Sequence, residues 1–243
     1  MTTQQLPQGS ALSLSSSLPH YARVLSIAGS DSGGGAGIQA DLKTFSALGC
    51  YGMTAITAIT AQNTQGVTAI HGIPAQMLQA QIDAVVQDIG VDAIKIGMLH
   101  APDIVHVVAD AIRRYGITQV VLDPVMVATS GDKLIQDETV QVLVRELFPL
   151  ATVVTPNLDE AGWLIGRPIA ATADMEPAAQ ALLDMGAQHV LLKGGHLPGD
   201  WVMDLLAGPD GLRKELGSQR IHTHKGHGTG CTLSSAIAAH MAL

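Results

Sequence analysis

The tetrapeptide Gly228-Thr229-Gly230-Cys231 combines a flexible turn with a reactive thiol. Glycines just before a helix leave backbone N–H groups free to point at one spot, and the helix dipole adds positive potential there. Such a spot could hold a phosphate whose negative charge grows during transfer. The same potential is expected to lower the pKa of Cys231, so that its thiolate could act as a base. The alternative interpretation is a small buried cysteine beside a glycine turn.

Four charged residues near predicted strand or helix ends could handle a metal ion or phosphate groups. Asp123 closes an apolar strand, where it either holds a metal-bound phosphate or starts a turn. Glu160 lies three residues after Asn157, which is capping-box spacing, but a carboxylate there could instead position Mg²⁺. Lys95 and Lys193 either neutralise phosphates or extend from strand ends towards solvent.

A glycine-rich segment and two side chains could form a pocket for a flat ring. The segment from Gly29 to Gly37 matches neither the dinucleotide fingerprint nor a Walker A loop. Its glycines indicate a close approach to a ligand or a tight turn, and Asp31 within it either orients a ligand or caps the turn. Gln62 offers a donor and an acceptor to a heterocycle edge, or is an ordinary turn residue. Met98 either covers a flat ring or fills the core.

These residues fall where short apolar strands end, in a chain that alternates such strands with helical stretches. The alternation predicts an α/β fold with a mostly parallel central sheet and helices on both faces. Ligands of open α/β sheets bind beyond the carboxyl ends of the strands. The predicted strands are Val24–Ala28, Tyr51–Ala61, Ala93–Ile96, Gln119–Leu122, Ala151–Val154 and His189–Leu192.

Two stretches near the end of the chain depart from this alternation. The stretch from Trp201 to Thr223 carries glycines between apolar runs, which predicts an antiparallel excursion. The stretch from Gly226 to Gly230 then leads into a helix that is predicted to start at Cys231.

Composition indicates a soluble globular protein with a sizeable core. The 243 residues are 47% hydrophobic and 14% charged, unlike those of a disordered chain. The formal net charge of −8 argues against nucleic-acid binding as the main role. Cys50 and Cys231 fit neither a disulfide framework nor a zinc site, so a cytoplasmic location is expected. No apolar run approaches the roughly 18 residues that a membrane helix requires.

We expect residues 1–20 to be a flexible N-terminal extension and residues 21–243 to form a single domain. The extension is rich in Ser and Gln and has no Lys or Arg. It therefore lacks the basic and apolar regions of a secretory signal.

Six motifs, taken in order, resemble those of the hydroxymethylpyrimidine/phosphomethylpyrimidine kinase family of thiamine biosynthesis. The resemblance covers about residues 23–243, and six ordered motifs are far more specific than any one alone. The motifs are Ile27–Asp41, Ala61-Gln62-Asn63-Thr64, Lys95-Ile96-Gly97-Met98-Leu99, Asp123-Pro124-Val125-Met126, Thr155-Pro156-Asn157 and Gly228–Ser234.

The resemblance implies a ribokinase-like three-layer fold and a kinase reaction with ATP as co-substrate and Mg²⁺. The substrate would be 4-amino-5-hydroxymethyl-2-methylpyrimidine and then its monophosphate. A cysteine base would replace the aspartate usual in the wider ribokinase family. The implied site residues are, for catalysis, Cys231, Gly228 and Gly230; for the pyrimidine, Gln62, Gly29, Ala36 and Met98; for the nucleotide, Lys193 and Thr229; and for Mg²⁺, Asp123 and Glu160.

The resemblance also implies a homodimer that binds a small pyrimidine and ATP, with no nucleic-acid or membrane partner. Family members usually continue with further helix, some of it beside the nucleotide, so we expect this chain to be short at its C-terminus. Two alternatives stay open. One is a pyridoxal kinase of the same fold, whose substrate has a similar ring and hydroxymethyl group. The other is a non-catalytic pyrimidine-binding module.

Overall fold

An eight-stranded sheet and a separate two-stranded hairpin form the β structure of the chain. The computed structural model describes residues 20–126, 135–223 and 225–243, so all of the predicted N-terminal extension except its last residue lies outside the described residues. The strands are β1 (Arg23–Ala28), β2 (Tyr51–Ile56), β3 (Ala58–Gln62), β4 (Val67–Gly72), β5 (Ala93–Ile96), β6 (Val120–Leu122), β7 (Val153–Val154), β8 (Val190–Leu192), β9 (Trp201–Ala207) and β10 (Arg213–Gln219).

Helices connect most of the parallel strands. Their ends follow local sequence signals: the third helix has Pro102 in its first turn and ends at Gly116, which has a left-handed backbone. The helices are α1 (Gly37–Ala47), α2 (Ala75–Asp88), α3 (Pro102–Tyr115), α4 (Asp137–Leu147), α5 (Leu158–Ile165), α6 (Met175–Asp184) and α7 (Thr229–Ala242).

The large sheet has the strand order β10-β9-β8-β7-β6-β5-β1-β2. Six strands of this sheet run parallel to one another: β1, β2, β5, β6, β7 and β8. Strand β9 is antiparallel to β8, and β10 is antiparallel to β9. Both the mostly parallel sheet and the antiparallel excursion after Trp201 are therefore confirmed.

Alternate strand residues supply two apolar layers, one on each face of the sheet. On one face Val24, Ala93 and Val121 pack with Phe45 of α1 and Ala238 of α7. On the opposite face the alternate strand residues form the larger core against α2, α3, α4 and α6. Because strands buried on both faces consist of aliphatic residues throughout, the sequence showed them as short apolar runs.

The chain reverses its direction of travel across the sheet between β1 and β5. It moves from β1 to β2 on one side and later returns to place β5 on the other side of β1. The loops that leave these two strands therefore diverge and open a crevice at their carboxyl ends. The glycine-rich segment follows β1, and Gly97 and Met98 follow β5, so both border this crevice.

The prediction of one strand from Tyr51 to Ala61 was wrong. The backbone N–H of Thr57 donates to Ala28 O and its hydroxyl donates to Met98 O. Thr57 thus ends the pairing of β2 with the large sheet, and β3 leaves to form a hairpin with β4. Strand β4 was not predicted because it is largely exposed and presents no buried apolar run.

Helix α7 begins at Thr229, two residues before the predicted start at Cys231. Gly228 precedes it with a left-handed backbone (φ 79°), which a glycine adopts without strain. Across the described part of the chain, no helix is both long and apolar enough to cross a membrane.

Candidate active site

A cavity of about 810 Å³ lies at the carboxyl ends of the parallel strands. It is bordered by the loops that follow β1, β5, β6, β7 and β8, by the end of β3 and by the start of α7. The structure brings all of the candidate site residues to this one cavity, although they come from distant parts of the sequence. They are Gly29, Ala36, Gln62, Met98, Asp123, Glu160, Lys193, Gly228, Thr229, Gly230 and Cys231.

The start of α7 presents Cys231 and two glycines to this cavity. Gly228 touches the glycine-rich segment so closely that a Cβ on it would lie 1.7 Å from Gly35 O. A Cβ on Gly230 would lie 3.3 Å from Lys193 Nζ. Both glycines therefore let charged groups and backbone approach where a larger residue would push them away.

The thiol of Cys231 lies between two helix starts, but its pKa is not lowered as predicted. The backbone N–H of Gly37, at the start of α1, donates to the sulfur. Burial nevertheless raises the pKa of Cys231 above its ordinary value, with Asp123 and Asp41 adding to the increase and Lys95 opposing it. The prediction considered the helix dipole alone and omitted the cost of ionising a buried thiol.

Asp123 is a fully buried carboxylate at the end of β6. It accepts hydrogen bonds from Lys193 Nζ (3.1 Å), Thr155 Oγ1 (3.0 Å) and Ser234 Oγ (3.2 Å). Burial opposes its ionisation, but Lys193 and Lys95 outweigh burial and hold the pKa of Asp123 below its ordinary value. The cavity thus contains a carboxylate that stays ionised at neutral pH.

Glu160 has the structural role that its spacing indicated. The Asn157 side chain accepts from Glu160 N (2.9 Å) and Glu160 Oε2 accepts from Asn157 N (2.8 Å), which completes a capping box on α5. Burial and the nearby negative charge of Asp123 raise the pKa of Glu160 to about 7, although Lys193 opposes this. Two carboxylates therefore face one another with too little positive charge between them.

This pair of carboxylates fits a divalent cation that the nucleotide phosphates help to hold. Among the described residues there is no cluster of three or more metal-binding side chains. Mg²⁺ needs no such cluster, since it is commonly held by one or two carboxylates together with phosphate oxygens and water. Burial and the Asp123 charge together raise the pKa of Glu160, and a bound cation would oppose both effects.

The glycine-rich segment is organised around the carboxylate of Asp31. Its carboxylate accepts from the backbone N–H groups of Gly33, Gly35 and Ala36 and contacts His227 Nε2 at 2.8 Å. Burial opposes ionisation, but the hydrogen bonds from His227 and the backbone outweigh it and lower the pKa of Asp31. Of the two interpretations of Asp31, the structure shows the turn cap.

Gly29, Met98 and Gln62 lie together at another part of the cavity. Met98 packs so closely on Gly29 that a Cβ there would lie 2.8 Å from Met98 Cε. Gln62 Oε1 accepts from Thr60 Oγ1 (3.1 Å), and its amide borders the cavity. Thr60 is itself fixed by its bond to Ser30 O (2.6 Å).

Lys95 neither reaches a phosphate site as a free side chain nor extends into solvent. It is fully buried, and Nζ contacts Asp41 Oδ1 at 2.9 Å and Oδ2 at 3.1 Å. Burial would lower the pKa of Lys95, but Asp41 outweighs burial and raises it. The interpretation that Lys95 extends into solvent was therefore wrong, whereas neutralisation of phosphates by Lys95 stays a prediction.

Sequence reasoning assigned no role to Asp41, His227 and Ser234. Asp41 could have been found because it occupies the apolar stripe of α1 between Ile38 and Phe45, where a charge requires a partner. His227 and Ser234 gave no comparable signal, since their partners lie 196 and 111 positions away in the chain.

The sequence and the fold of this chain are similar to those of known proteins. The phosphomethylpyrimidine kinase family model matches residues 31–243. A hydroxymethylpyrimidine/phosphomethylpyrimidine kinase of Rhizobium meliloti (strain 1021) is 57% identical over 219 residues, covering 90% of this chain and 82% of the relative.

Two solved structures have the same architecture. A phosphomethylpyrimidine kinase from Clostridium difficile 630 superposes with a TM-score of 0.79 at 44% identity, covering 90% of both chains. A Bacillus subtilis pyridoxal kinase, solved as an ADP complex, superposes with a TM-score of 0.84 at 41% identity, covering 92% of this chain and 85% of that one.

The fold is thus the ribokinase-like α/β fold, and the protein is a kinase. Such an enzyme takes ATP as its co-substrate. Within this class the chain belongs to the phosphomethylpyrimidine kinase family, as its match to the family model and its identity to the relative show.

Proposed function

We propose that the chain transfers the γ-phosphoryl group of ATP to 4-amino-5-hydroxymethyl-2-methylpyrimidine and then to the resulting monophosphate, as a step of thiamine diphosphate biosynthesis. One observation carries the proposal: a single cavity, in a member of this family, gathers an amide for the ring, a thiol, and paired charges for phosphates. These groups are Gln62, Cys231, Asp123 and Lys193.

The ring would bind at the Gln62 end of the cavity. A primary amide carries a donor and an acceptor side by side, which matches the ring nitrogen and exocyclic amino group of an aminopyrimidine. Gly29, Ala36 and Met98 would enclose the ring faces. Thr60 Oγ1 lies 3.1 Å from Gln62 Oε1, so a neighbouring side chain restricts the positions of this amide.

Cys231 would act as the general base for the first transfer. Its sulfur, once ionised, takes the proton from the hydroxymethyl group, and the oxygen forms a bond to the γ-phosphorus. The bond between that phosphorus and the bridging oxygen breaks, and its electron pair leaves with ADP. The N–H groups at Gly228 and Gly230 would receive the charge that builds up on the moving phosphoryl group.

Lys193 and Thr229 would bind the phosphates of the nucleotide, and Asp123 and Glu160 would hold Mg²⁺. When bound, the ion supplies positive charge that neutralises phosphate oxygens. Lys193 contacts Asp123 in the structure, so its ammonium already lies beside the carboxylate that the phosphates would approach. Most of the rate enhancement would come from holding the two substrates in line.

Mass spectrometry of the chain incubated with Mg-ATP and the hydroxymethylpyrimidine tests this proposal. We expect the monophosphate to appear first and the diphosphate later. If the pyrimidine raises the melting temperature but neither product forms, the non-catalytic binding module is favoured instead. If the pyrimidine neither binds nor reacts, the proposed substrate is wrong.

Pyridoxal kinase activity is the second candidate, favoured by the Bacillus subtilis structure. That pyridoxal kinase superposes with a TM-score of 0.84, compared with 0.79 for the Clostridium difficile enzyme. Measuring kcat/KM for pyridoxal and for the pyrimidine in one assay separates the two functions. We expect the pyrimidine to be preferred, and a preference for pyridoxal would reverse the assignment.

A homodimer through the β3–β4 hairpin completes the proposal. Ile59 on β3 is 51% exposed and Ile70 on β4 is 44% exposed; the strand register places them on opposite faces of the hairpin, so each face presents an apolar side chain that a partner would cover. Analytical ultracentrifugation should show a dimer, and a variant carrying Ile59→Lys and Ile70→Lys should sediment as a monomer. A wild-type monomer at all concentrations would contradict it.

A further inference from the structure

A fully buried ion pair lies beside the cavity, between the large sheet and the α1–α7 layer. Lys95 of β5 and Asp41 of α1 both have side chains with no exposed surface. The carboxylate also accepts from Ser26 Oγ on β1 (2.5 Å) and from Ser235 Oγ on α7 (2.7 Å). Four separate elements therefore fix the position of one lysine.

A buried ion pair usually stabilises a fold no better than apolar residues of the same size would. Removing two ions from water costs several kcal/mol each, and a well-packed apolar pair of similar volume is often as stable or more so. A buried pair that also recruits two serines therefore suggests a use for the charge itself.

The Lys95–Asp41 pair is bonded to the helix that carries Cys231, because Ser235 of α7 donates to Asp41. The side chains of Lys95 and Cys231 both border the cavity, and Lys95 is the group that most favours ionisation of this thiol. Gly97 borders the cavity next to Lys95. A Cβ on Gly97 would lie 3.2 Å from Lys95 Nζ, so a larger residue would crowd the ammonium group. Ser235 lies one helical turn after Cys231 on α7, so its bond to Asp41 also fixes the helix that carries the thiol.

The charged groups around Cys231 come from every layer packed against it. Lys95 projects from β5, Asp41 from α1, and Asp123 and Lys193 from the carboxyl edge of the sheet. Lys193 is paired with Asp123, where the phosphates of the nucleotide would bind. Lys95 is instead paired with Asp41, away from that part of the cavity.

We propose that Lys95 is a positioning residue, held by Asp41, Ser26 and Ser235 so that a fixed positive charge beside Cys231 stabilises its thiolate. The inference rests on the proposed function, in which Cys231 is the base, and adds the group that makes a buried thiol usable. Lys95 touches neither substrate and acts through Cys231.

The test measures the thiol directly, without substrates. In a Cys50→Ala background, the rate of alkylation by iodoacetamide as a function of pH reports ionisation of Cys231. A double variant, Lys95→Met with Asp41→Asn, removes both charges and leaves neither unpaired. We expect alkylation at pH 7 to be about tenfold slower than in the background, equivalent to a rise of about one pKa unit.

The matched control is the ion pair at the amino end of β5, the strand that carries Lys95. Arg23→Met with Asp92→Asn removes the pair between Arg23 of β1 and Asp92, which precedes β5. We expect this variant to keep the background alkylation profile. Equal shifts in both double variants would show a general loss of structure and overturn the proposal.

A second variant covers the case in which the first does not fold by circular dichroism. Lys95→Gln with Asp41→Asn removes the same two charges but leaves polar side chains opposite the two serines, so alkylation at pH 7 should slow as in the first double variant. A profile that stays or moves to lower pH overturns the inference. Because alkylation needs no turnover, this result is independent of whether the chain phosphorylates the pyrimidine, which mass spectrometry decides.

Discussion

Two ion pairs lie at opposite ends of strand β5, Arg23–Asp92 at its amino end and Lys95–Asp41 towards its carboxyl end, and they differ in nearly every physical respect. At the amino end Arg23 and Asp92 keep 30% and 26% of their side chains exposed. Arg23 binds Asp92 through Nε and Nη2 and also donates to Ile89 O. Towards the carboxyl end Lys95 and Asp41 have no exposure at all.

The two pairs differ in how strongly water screens their charges. Water screens the charges of the amino-end pair, and exposed pairs usually contribute only about 0–1 kcal/mol. The carboxyl-end charges are fully buried and screened less, so Lys95 favours ionisation of both Cys231 and Asp123. The amino-end pair is therefore expected to contribute little to stability or chemistry, whereas the carboxyl-end pair lies beside the cavity.

The largest effect should come from removing the thiol. We expect Cys231→Ala to fold normally and to lose about 10²–10⁴-fold in kcat for the first phosphorylation, the usual contribution of a general base. The control is Cys50→Ala, because the Cys50 thiol is buried between α1 and α7 and faces Ala239 O rather than the cavity. Steady-state kinetics at saturating substrates measures both variants.

The second phosphorylation sharpens this prediction. The attacking phosphate oxygen of the monophosphate is already ionised, so a base is needed less, and the loss in Cys231→Ala should be smaller. Equal losses in the two steps would mean that Cys231 does something other than accept a proton. Wild-type kcat in both steps would remove it from the mechanism.

The next effect concerns stability at the two ion pairs. Lys95→Met leaves Asp41 buried with two serines but no cation, and breaking a buried pair on one side typically costs about 3–5 kcal/mol. Arg23→Met, at the exposed pair, should cost at most about 1 kcal/mol. Urea unfolding gives both free energies, and similar losses would show that burial does not distinguish the pairs.

The raised pKa of Glu160 predicts a pH dependence of stability. Its pKa is about 7 in the folded chain and 4.5 ordinarily, so the folded state binds a proton more tightly. The resulting stability is fully present below pH 4.5 and is lost as pH rises through 7, a change of about 3 kcal/mol for this group. The difference in unfolding free energy between wild type and Glu160→Gln, measured with EDTA, should follow this curve.

Mg²⁺ provides the control for that prediction. The ion binds the ionised carboxylate, so it should reduce the loss of stability between pH 4.5 and 7 in the wild type but not in Glu160→Gln. A curve that Mg²⁺ leaves unchanged in both proteins would contradict the proposed role of Glu160, whereas the predicted change without Mg²⁺ depends on burial and Asp123 alone.

The sequence predicted the sheet well because its strands are aliphatic throughout and its helices alternate with them. It also predicted which residues meet, because parallel strands deliver their carboxyl ends to one edge. The prediction failed at Thr57, where two hydrogen bonds to Ala28 O and Met98 O end β2; such contacts depend on the fold and leave no local pattern.

The protonation states of the cavity were beyond the sequence for a related reason. A thiol at a helix start predicts a lowered pKa, but the net effect at Cys231 depends on burial and on three charges from other elements. Lys95 was placed at a strand end correctly, yet its partner Asp41 lies 54 residues away on α1. Pairing across such a separation follows from the packing of α1 on the sheet, which the spacing of residues does not specify.

The smallest effect should be seen at Gly116, which ends α3 before the amino end of β6. Its backbone is left-handed (φ 62°), as is that of Gly228 (φ 79°), but a Cβ at Gly116 would meet no heavy atom within 4 Å. Gly116→Ala should therefore cost only the strain of the left-handed backbone, about 1–2 kcal/mol in urea unfolding, and leave kcat unchanged. At Gly228 the same change would collide with Gly35 O and displace the cavity wall. A loss of kcat in Gly116→Ala would show that the amino edge of the sheet is coupled to the chemistry at the carboxyl edge, and the separation between the two edges would be wrong.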